Sequence, residues 1–560
     1  MLHVQTFENQ DVHDFLEKSS LRIHHSRNYF PLLSILFHHV AEHDNNTIQR
    51  RFYVLRILSD DGQSGQSREP LYNPLSRHYH GIILDSKTHT TMIRSFFIKT
   101  INLLDNVSLV KGFYGDPRDT LMTSFRSTHL KLCHKIYFQF NHAYVETLAM
   151  FLISRLTEER QCPHFPILFG AYSGISEKTY SEFTEEYYQY SSSCEVGLQK
   201  GWFSFVSSGS STSHDAATGP SISCEIDEDL VNMGIEELGD IRPRSNGIRD
   251  SCKRYTNDSF SFGDQSYPSD ELIYLEAYHC PTQTLIMEKF DKTYESVLKK
   301  DISDVIDEYD KYRMSHYQNG IYHEYTFFYQ LLYRMRYRHF QKKHLSILMQ
   351  IMMALISMQH HYKMCHNDLH IENVMLQRTS RTHLIYCVRD KIYQVPTYGY
   401  IVKIIDYGRC TFMYDKQYYI GDIFKMNSDA GEQYSYPYSH WKSKKYIPMN
   451  FSFDLCRFAC SVLMDANYEQ IPMKVTKVPH EPINKQYMKS EDEFYNILHV
   501  WTTDRYSKSF LIKPNGFDLY KLIARRAVHS VPLYQLRHSC FHPFQVSSST
   551  IVDHKYYRII

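Results

Sequence analysis

The order of periodic segments predicts an α+β protein in which a β-rich part precedes a helical part. Three observations carry that expectation. Residues 51–100 contain short runs of branched and aromatic residues, Phe52–Leu58, Ile82–Leu84 and Ser95–Thr100, separated by polar and glycine-containing stretches, as in an antiparallel sheet. The period then changes, with Phe140, Tyr144, Leu148, Phe151 and Leu152 recurring at helical spacing within 139–157. From about residue 325 the helical pattern dominates, first to 361 and again at Phe451–Met464, Glu491–Val500 and Phe517–Arg526.

Element by element, residues 1–50 read as a helical N-terminal extension with an apolar patch at Phe30–Val40. A strand-like run, Pro166–Tyr172, follows the first strong helix. Between 174 and 270 the composition turns to Ser, Gly, Asp and Glu, as in GSSTSHDAATGPSISCEIDEDL. Such a stretch buries too little apolar area to offset the entropy of ordering. It is expected to be a long disordered insertion in a surface loop, not a boundary between two domains. Strand character returns at Leu272–Ala277 and Thr282–Glu288. The expected organisation is an extension (1–50), a β-rich unit (51–288, with the insertion 174–270) and a helical unit (289–560).

The composition excludes several classes. Lys+Arg and Asp+Glu both total 62, so no global field draws the chain to nucleic acid or to an anionic membrane. The 12 cysteines are dispersed and the nearest two, Cys456 and Cys460, form no CxxC pair, which argues against a zinc ribbon or a dense disulfide framework. Reduced thiols inside a cell are the simplest expectation. The start, MLHVQTFENQDVHDF, has no basic segment leading into an apolar core, so no signal peptide is expected. No apolar run reaches the length of a membrane span; Leu345–Ile356 comes nearest, and His and Gln bound it closely.

The chemistry concentrates in His366-Asn367-Asp368-Leu369-His370-Ile371-Glu372-Asn373, which directly follows the long apolar helix. Asp406-Tyr407-Gly408 comes later, at the end of the β-rich run Tyr400–Ile405. Phosphoryl transfer explains why these residue types belong together. An attacking hydroxyl needs a carboxylate to orient it and take its proton, and Asp368 fits that role. Magnesium takes few oxygen ligands from protein, and Asp406 and the Asn373 side chain can supply them. Gly408 gives the backbone freedom just after the metal-binding Asp. Each motif alone is short enough to arise by chance; in order, after a helix and at a strand end, the set is specific.

HNDLHIENVML resembles a protein-kinase catalytic loop, and IIDYG resembles the metal-binding D-F-G element. The segments KIYQVPTYGYIVKIIDYGR, CPHFPILFGAY and SFFIKTINLLD are similar to those of serine/threonine-protein kinases of large nucleocytoplasmic DNA viruses. The resemblance covers roughly residues 80 to 545, interrupted by the insertion. It implies a bilobal fold, with a β-rich N-terminal lobe and an α-helical C-terminal lobe, that binds ATP and Mg2+ and phosphorylates Ser or Thr of a protein substrate. An intracellular location, in host cytoplasm or virion, would follow from a viral origin. Residue by residue, it implies that Lys99 grips the inner phosphates and that Glu146 holds Lys99. It also implies that Glu288 and Phe290 carry the adenine contacts, and that His366 and Asp454 brace the catalytic loop.

Three departures stand out. No G-x-G-x-x-G precedes Lys99 at normal spacing; Gly62 and Gly65 lie far upstream and Gly81 is alone. Asn367 replaces the arginine that commonly reads activation-loop phosphorylation, so activity is expected not to depend on that switch. His370 stands where a lysine often contacts the transferring phosphate. In addition, no A-P-E element is visible between Gly408 and Asp454. A pseudokinase acting as a binding module and a small-molecule kinase are the competing expectations.

Overall fold

The computed structural model describes residues 3–7, 9–29, 31–36, 46–58, 78–121, 126–127, 129–184, 187, 195–207, 272–317, 323–425, 428–435, 447–466, 468, 471, 475–477, 488–490, 492–512, 516–547 and 556–560. The class is mixed α and β. Its largest sheet is antiparallel and seven-stranded, built from β1 (Ile23–Asn28), β2 (Phe52–Leu58), β3 (His78–Asp85), β4 (Thr90–Asn102), β5 (Leu168–Glu182), β6 (Phe203–Ser207) and β7 (Ile273–Glu288). The strand order is β1-β5-β7-β4-β3-β2, and β6 also pairs with β7.

Side-chain alternation along β4 sorts two cores. Phe96 and Ile98 pack with Val12 and Leu16 of α1 (Gln10–Lys18) on one face. Phe97 and Ile101 join the main core on the other, together with α2 (His142–Glu158). Helix α2 starts at Asn141, whose side chain accepts from the Ala143 N–H at 3.1 Å and donates to the carbonyls of Leu103 and Lys135. Almost every residue of α2 from Ala143 to Leu156 is buried.

The second half is led by α3 (Tyr294–Tyr317) and α4 (His323–Tyr362) and closes with α5 (Phe453–Asp465), α6 (Glu493–Trp501) and α7 (Asp518–Arg526). The apolar run Leu345–Ile356 is buried inside α4. Between α4 and α5, β8 (Val374–Arg378) pairs antiparallel with β11 (Tyr400–Ile404). The hairpin of β9 (His383–Val388) and β10 (Lys391–Pro396) lies between them in sequence, and a second hairpin, β12 (Thr411–Tyr414) and β13 (Gln417–Ile420), follows. A separate apolar cluster joins Phe424 and Tyr434 to α5 and α7. No helix among the described residues is long and apolar enough to cross a membrane.

Three expectations are corrected. Residues 1–50 are more than a helical extension, because β1 pairs with β5 at the sheet edge. The insertion does not begin at 174. β5 continues to Glu182, a short helix spans Glu195–Gln199, and β6 pairs with β7 from Phe203↔Ala277 to Ser207↔Ile273. Ser173 and Ser176 are buried where β5 is paired on both sides, by β1 and β7, and Thr179 where it pairs with β7, which composition alone does not reveal. The remainder of the insertion, 208–271, lies outside the described residues. Finally, the two expected strands at 272–288 are one, β7, and the 24-residue α3 has no counterpart among the expected elements.

Candidate active site

Lys99 leaves β4 opposite Leu285 of β7. Its Nζ lies 2.6 Å from Glu146 Oε1, on α2, and 3.0 Å from Asp406 Oδ1, just past β11. The Glu146 side chain is only 3% exposed, that of Lys99 26% and that of Asp406 46%, so the pair opens toward solvent on the Asp406 side. Burial alone would lower the Lys99 pKa; the carboxylates of Asp406 and Glu146 outweigh it and hold the ammonium above its usual range. Burial would raise Asp406, and the Lys99 charge instead keeps it well below the ordinary carboxylate range. For Glu146 burial prevails over Lys99, and its pKa is raised.

Asp406 has φ +64°, in the left-handed region, and its Oδ1 also accepts from the Gly408 N–H at 3.2 Å. A Cβ on Gly408 would stand 3.3 Å from both Asp406 Oδ1 and Glu146 Oε2. A side chain at 408 would therefore crowd both carboxylates.

The loop after α4 is braced from beneath. Asp454, fully buried in the first turn of α5, accepts the His366 N–H at 3.0 Å and the Asn367 N–H at 2.8 Å. Burial pushes its carboxyl pKa up. His366 Nε2 contacts the Ile405 carbonyl at 2.8 Å, tying the loop to the segment that carries Asp406. The Ile371 N–H donates to Ser461 Oγ at 3.1 Å. Asp368 is left at the surface of this frame, its side chain 21% exposed.

The departures at 367 and 370 acquire structural reasons. Asn367 has φ +64°, which Asn tolerates better than most side chains. Its amide donates to the Arg409 carbonyl and Thr411 Oγ1, both at 3.0 Å, and its oxygen accepts from the Tyr434 hydroxyl at 2.8 Å. A neutral carboxamide thus fastens the segment after Asp406. His370 is positioned as an acceptor. Asn373 Nδ2 donates to the Asp368 carbonyl at 2.9 Å and faces His370 Nε2 at 3.0 Å, which requires a lone pair on that nitrogen. Burial lowers the His370 pKa in the same direction.

Glu288 sits at the end of β7, opposite Phe96. Its N–H donates to the Ile167 carbonyl at 2.9 Å. Its carboxylate meets Lys403 Nζ at 3.1 Å and Gln377 Nε2 at 2.9 Å, so the side chain ties β7 to β8 and β11. Phe290 is buried, with Lys403 Nζ 5.4 Å from its ring centroid. Gly62 and Gly65 lie outside the described residues. Gly81 is accounted for by packing, because a Cβ there would meet the Arg56 carbonyl and the Phe96 ring at 2.5 Å.

Three contacts escape sequence reasoning. The Tyr520 hydroxyl, on α7, donates to Asp368 Oδ1 at 2.6 Å, and Arg409 lies 3.7 Å from the same oxygen. Asp422, after β13, accepts the His142 N–H at 3.0 Å in the first turn of α2 and pairs with the buried Lys135. Lys403 is buried against Glu288 and the Phe165 carbonyl. These pairs are 152, 280 and 115 residues apart, beyond the reach of any local signal.

Asp406 and Asn373 are hard oxygen donors, and with the Asn373 nitrogen engaged its oxygen is the atom available to a cation. Two such ligands fit magnesium, which keeps water and substrate oxygens for the rest of its shell. Among the described residues, no three His, Cys, Asp or Glu side chains cluster as a metal site on their own. No protein-family model and no curated protein sequence matches the chain.

Proposed function

We propose that the chain is a bilobal kinase that transfers the γ-phosphate of Mg-ATP to serine or threonine hydroxyls of proteins. The observation that carries this reading is the meeting of Lys99, Glu146 and Asp406, drawn from a strand, a helix and a post-strand loop, 47 and 307 residues from Lys99 in sequence. Asp368 stands on a separately braced loop with a hydroxyl already on its carboxylate.

Lys99, oriented by Glu146, binds the inner phosphates as a fixed cation. Adenine is placed at Glu288–Phe290, through backbone groups rather than the Glu288 carboxylate. Asp406 and Asn373 would hold magnesium, which when bound neutralises phosphate charge. Asp368 orients the incoming hydroxyl and accepts its proton. His370 positions Asn373 in its neutral form. Asp422, docked at the start of α2, keeps the segment after Asp406 against the helix that carries Glu146.

Calorimetry with Mg-ATP tests the nucleotide site. Wild type should bind with a stoichiometry of about one, and Lys99→Met should weaken binding by roughly tenfold or more, the loss of a charge-assisted contact. A folded wild type that takes up no Mg-ATP contradicts the proposal.

A further inference from the structure

The Tyr520 hydroxyl already occupies the place on Asp368 where a substrate hydroxyl would stand. Its donor hydrogen bond to Oδ1 is 2.6 Å long. The ring is not a chance visitor from a loose segment. Tyr520 belongs to α7, whose Leu519, Ile523 and Ala524 are buried in the cluster with Phe453. Phe517 stacks on Tyr520 with centroids 5.4 Å apart and planes 20° from parallel.

Two cations flank the same ring. The guanidinium carbon of Arg457, on α5, lies 5.0 Å from its centroid and that of Arg409 lies 5.3 Å away. Arg457 Nε is buried with no hydrogen-bond partner among the described residues. Burial, reinforced by Asp368, holds the phenol pKa up at about 12, so the hydroxyl is protonated and needs a base to become a nucleophile. A general base, a protonated acceptor hydroxyl and two neighbouring guanidiniums are the parts that phosphorylation of this residue requires. Arginines are also the residues that receive a phosphate dianion best.

We infer that Tyr520 is the chain's own phosphoacceptor, modified in cis by the site it caps; this rests on the kinase reading and extends its acceptors from serine and threonine to one tyrosine of the chain itself. The phenolic oxygen forms a bond to the γ-phosphorus of Mg-ATP, the bond from that phosphorus to the oxygen bridging to ADP breaks, and the phenol proton passes to Asp368. The phosphotyrosine is then repelled by Asp368 and drawn to Arg409 and Arg457. That leaves the base open to other hydroxyls.

The test is incubation of the full chain with Mg-ATP and an added generic protein such as casein, followed by phosphopeptide mass spectrometry. Phosphate should appear on Tyr520, at a fractional rate unchanged by tenfold dilution. Asp368→Asn should lower that rate by at least a hundredfold, and Tyr520→Phe should abolish the labelled peptide. A wild type that phosphorylates casein but leaves Tyr520 bare overturns the inference and spares the kinase reading. Labelling that slows tenfold on tenfold dilution also overturns it, because the acceptor would then come from another molecule. A chain that labels neither itself nor casein overturns both.

Discussion

The two sides of the candidate site are held by different forces. Around Lys99, charged side chains from distant elements hold one another, with Nζ between Glu146 and Asp406. Around Asp368, the backbone is held instead. Asp454 accepts two loop N–H groups, His366 meets the Ile405 carbonyl, and Ser461 accepts a third N–H. The comparison teaches that the charges around Lys99 are held by one another's side chains, while the loop that carries Asp368 is held through its backbone by groups outside it. Asp422 joins the two modes, because its carboxylate caps the backbone of α2 and pairs with Lys135.

The largest effect should come from the fixed side. Asp368→Asn should keep the loop and its ATP affinity but reduce transfer roughly 10²–10⁴-fold, the usual worth of a general base; steady-state transfer beside calorimetry separates the two. Equal loss of binding and transfer would mean that Asp368 is not merely chemical. Next comes the joint between the modes. Asp422→Ala leaves Lys135 buried without its counter-charge and should cost about 3 kcal/mol in a denaturant titration. Activity should fall further than unfolding explains, through disorder at the start of α2. A change below about 0.5 kcal/mol would make that pair incidental.

Asp454→Ala orphans the His366 and Asn367 N–H groups and should cost about 2 kcal/mol, read as a lower melting temperature. Asp454→Asn, which keeps one acceptor oxygen, should cost less. The smallest effect concerns pH. His164 is buried between the Val402 carbonyl and the Tyr386 hydroxyl, each at 2.8 Å, and burial lowers its pKa to about 3. Between that value and the usual 6.5 the unfolded chain binds a proton that the folded chain refuses. Stability should therefore fall as pH drops below about 6.5, by up to about 1.4 kcal/mol per pH unit. The gap between urea midpoints at pH 7 and pH 5.5 should narrow in His164→Gln, with the remainder left to other histidines whose pKa burial lowers, such as His344 and His370; an unchanged gap would place the His164 proton elsewhere.

Local arrangement was legible in the sequence where the residues share one loop. The spacing from His366 to Asn373 puts Asp368 and Asn373 in contact on one braced loop, and the helices at 142–158, 323–362 and 453–465 matched their apolar periods. Lys99 and Glu146 carry no local signal of their pairing; resemblance alone connected them. Tyr520 and Asp422 were missed because nothing in NGFDLY or IGDIF marks a side chain that reaches a partner in another element. β1 and the continuation of β5 past Gly174 were missed for a related reason. Strand pairing satisfies serine- and glycine-rich backbone that composition scores as loop.

The central claim is that Lys99, Glu146, Asp406 and Asp368 form a phosphotransfer centre. Its most direct test is transfer of labelled γ-phosphate from Mg-ATP to basic and acidic proteins by wild type and by Asp406→Ala. Labelled phosphoserine or phosphothreonine that disappears in the variant is the predicted result. Label that persists undiminished in Asp406→Ala, or a nucleotide-binding wild type that transfers none, would contradict it.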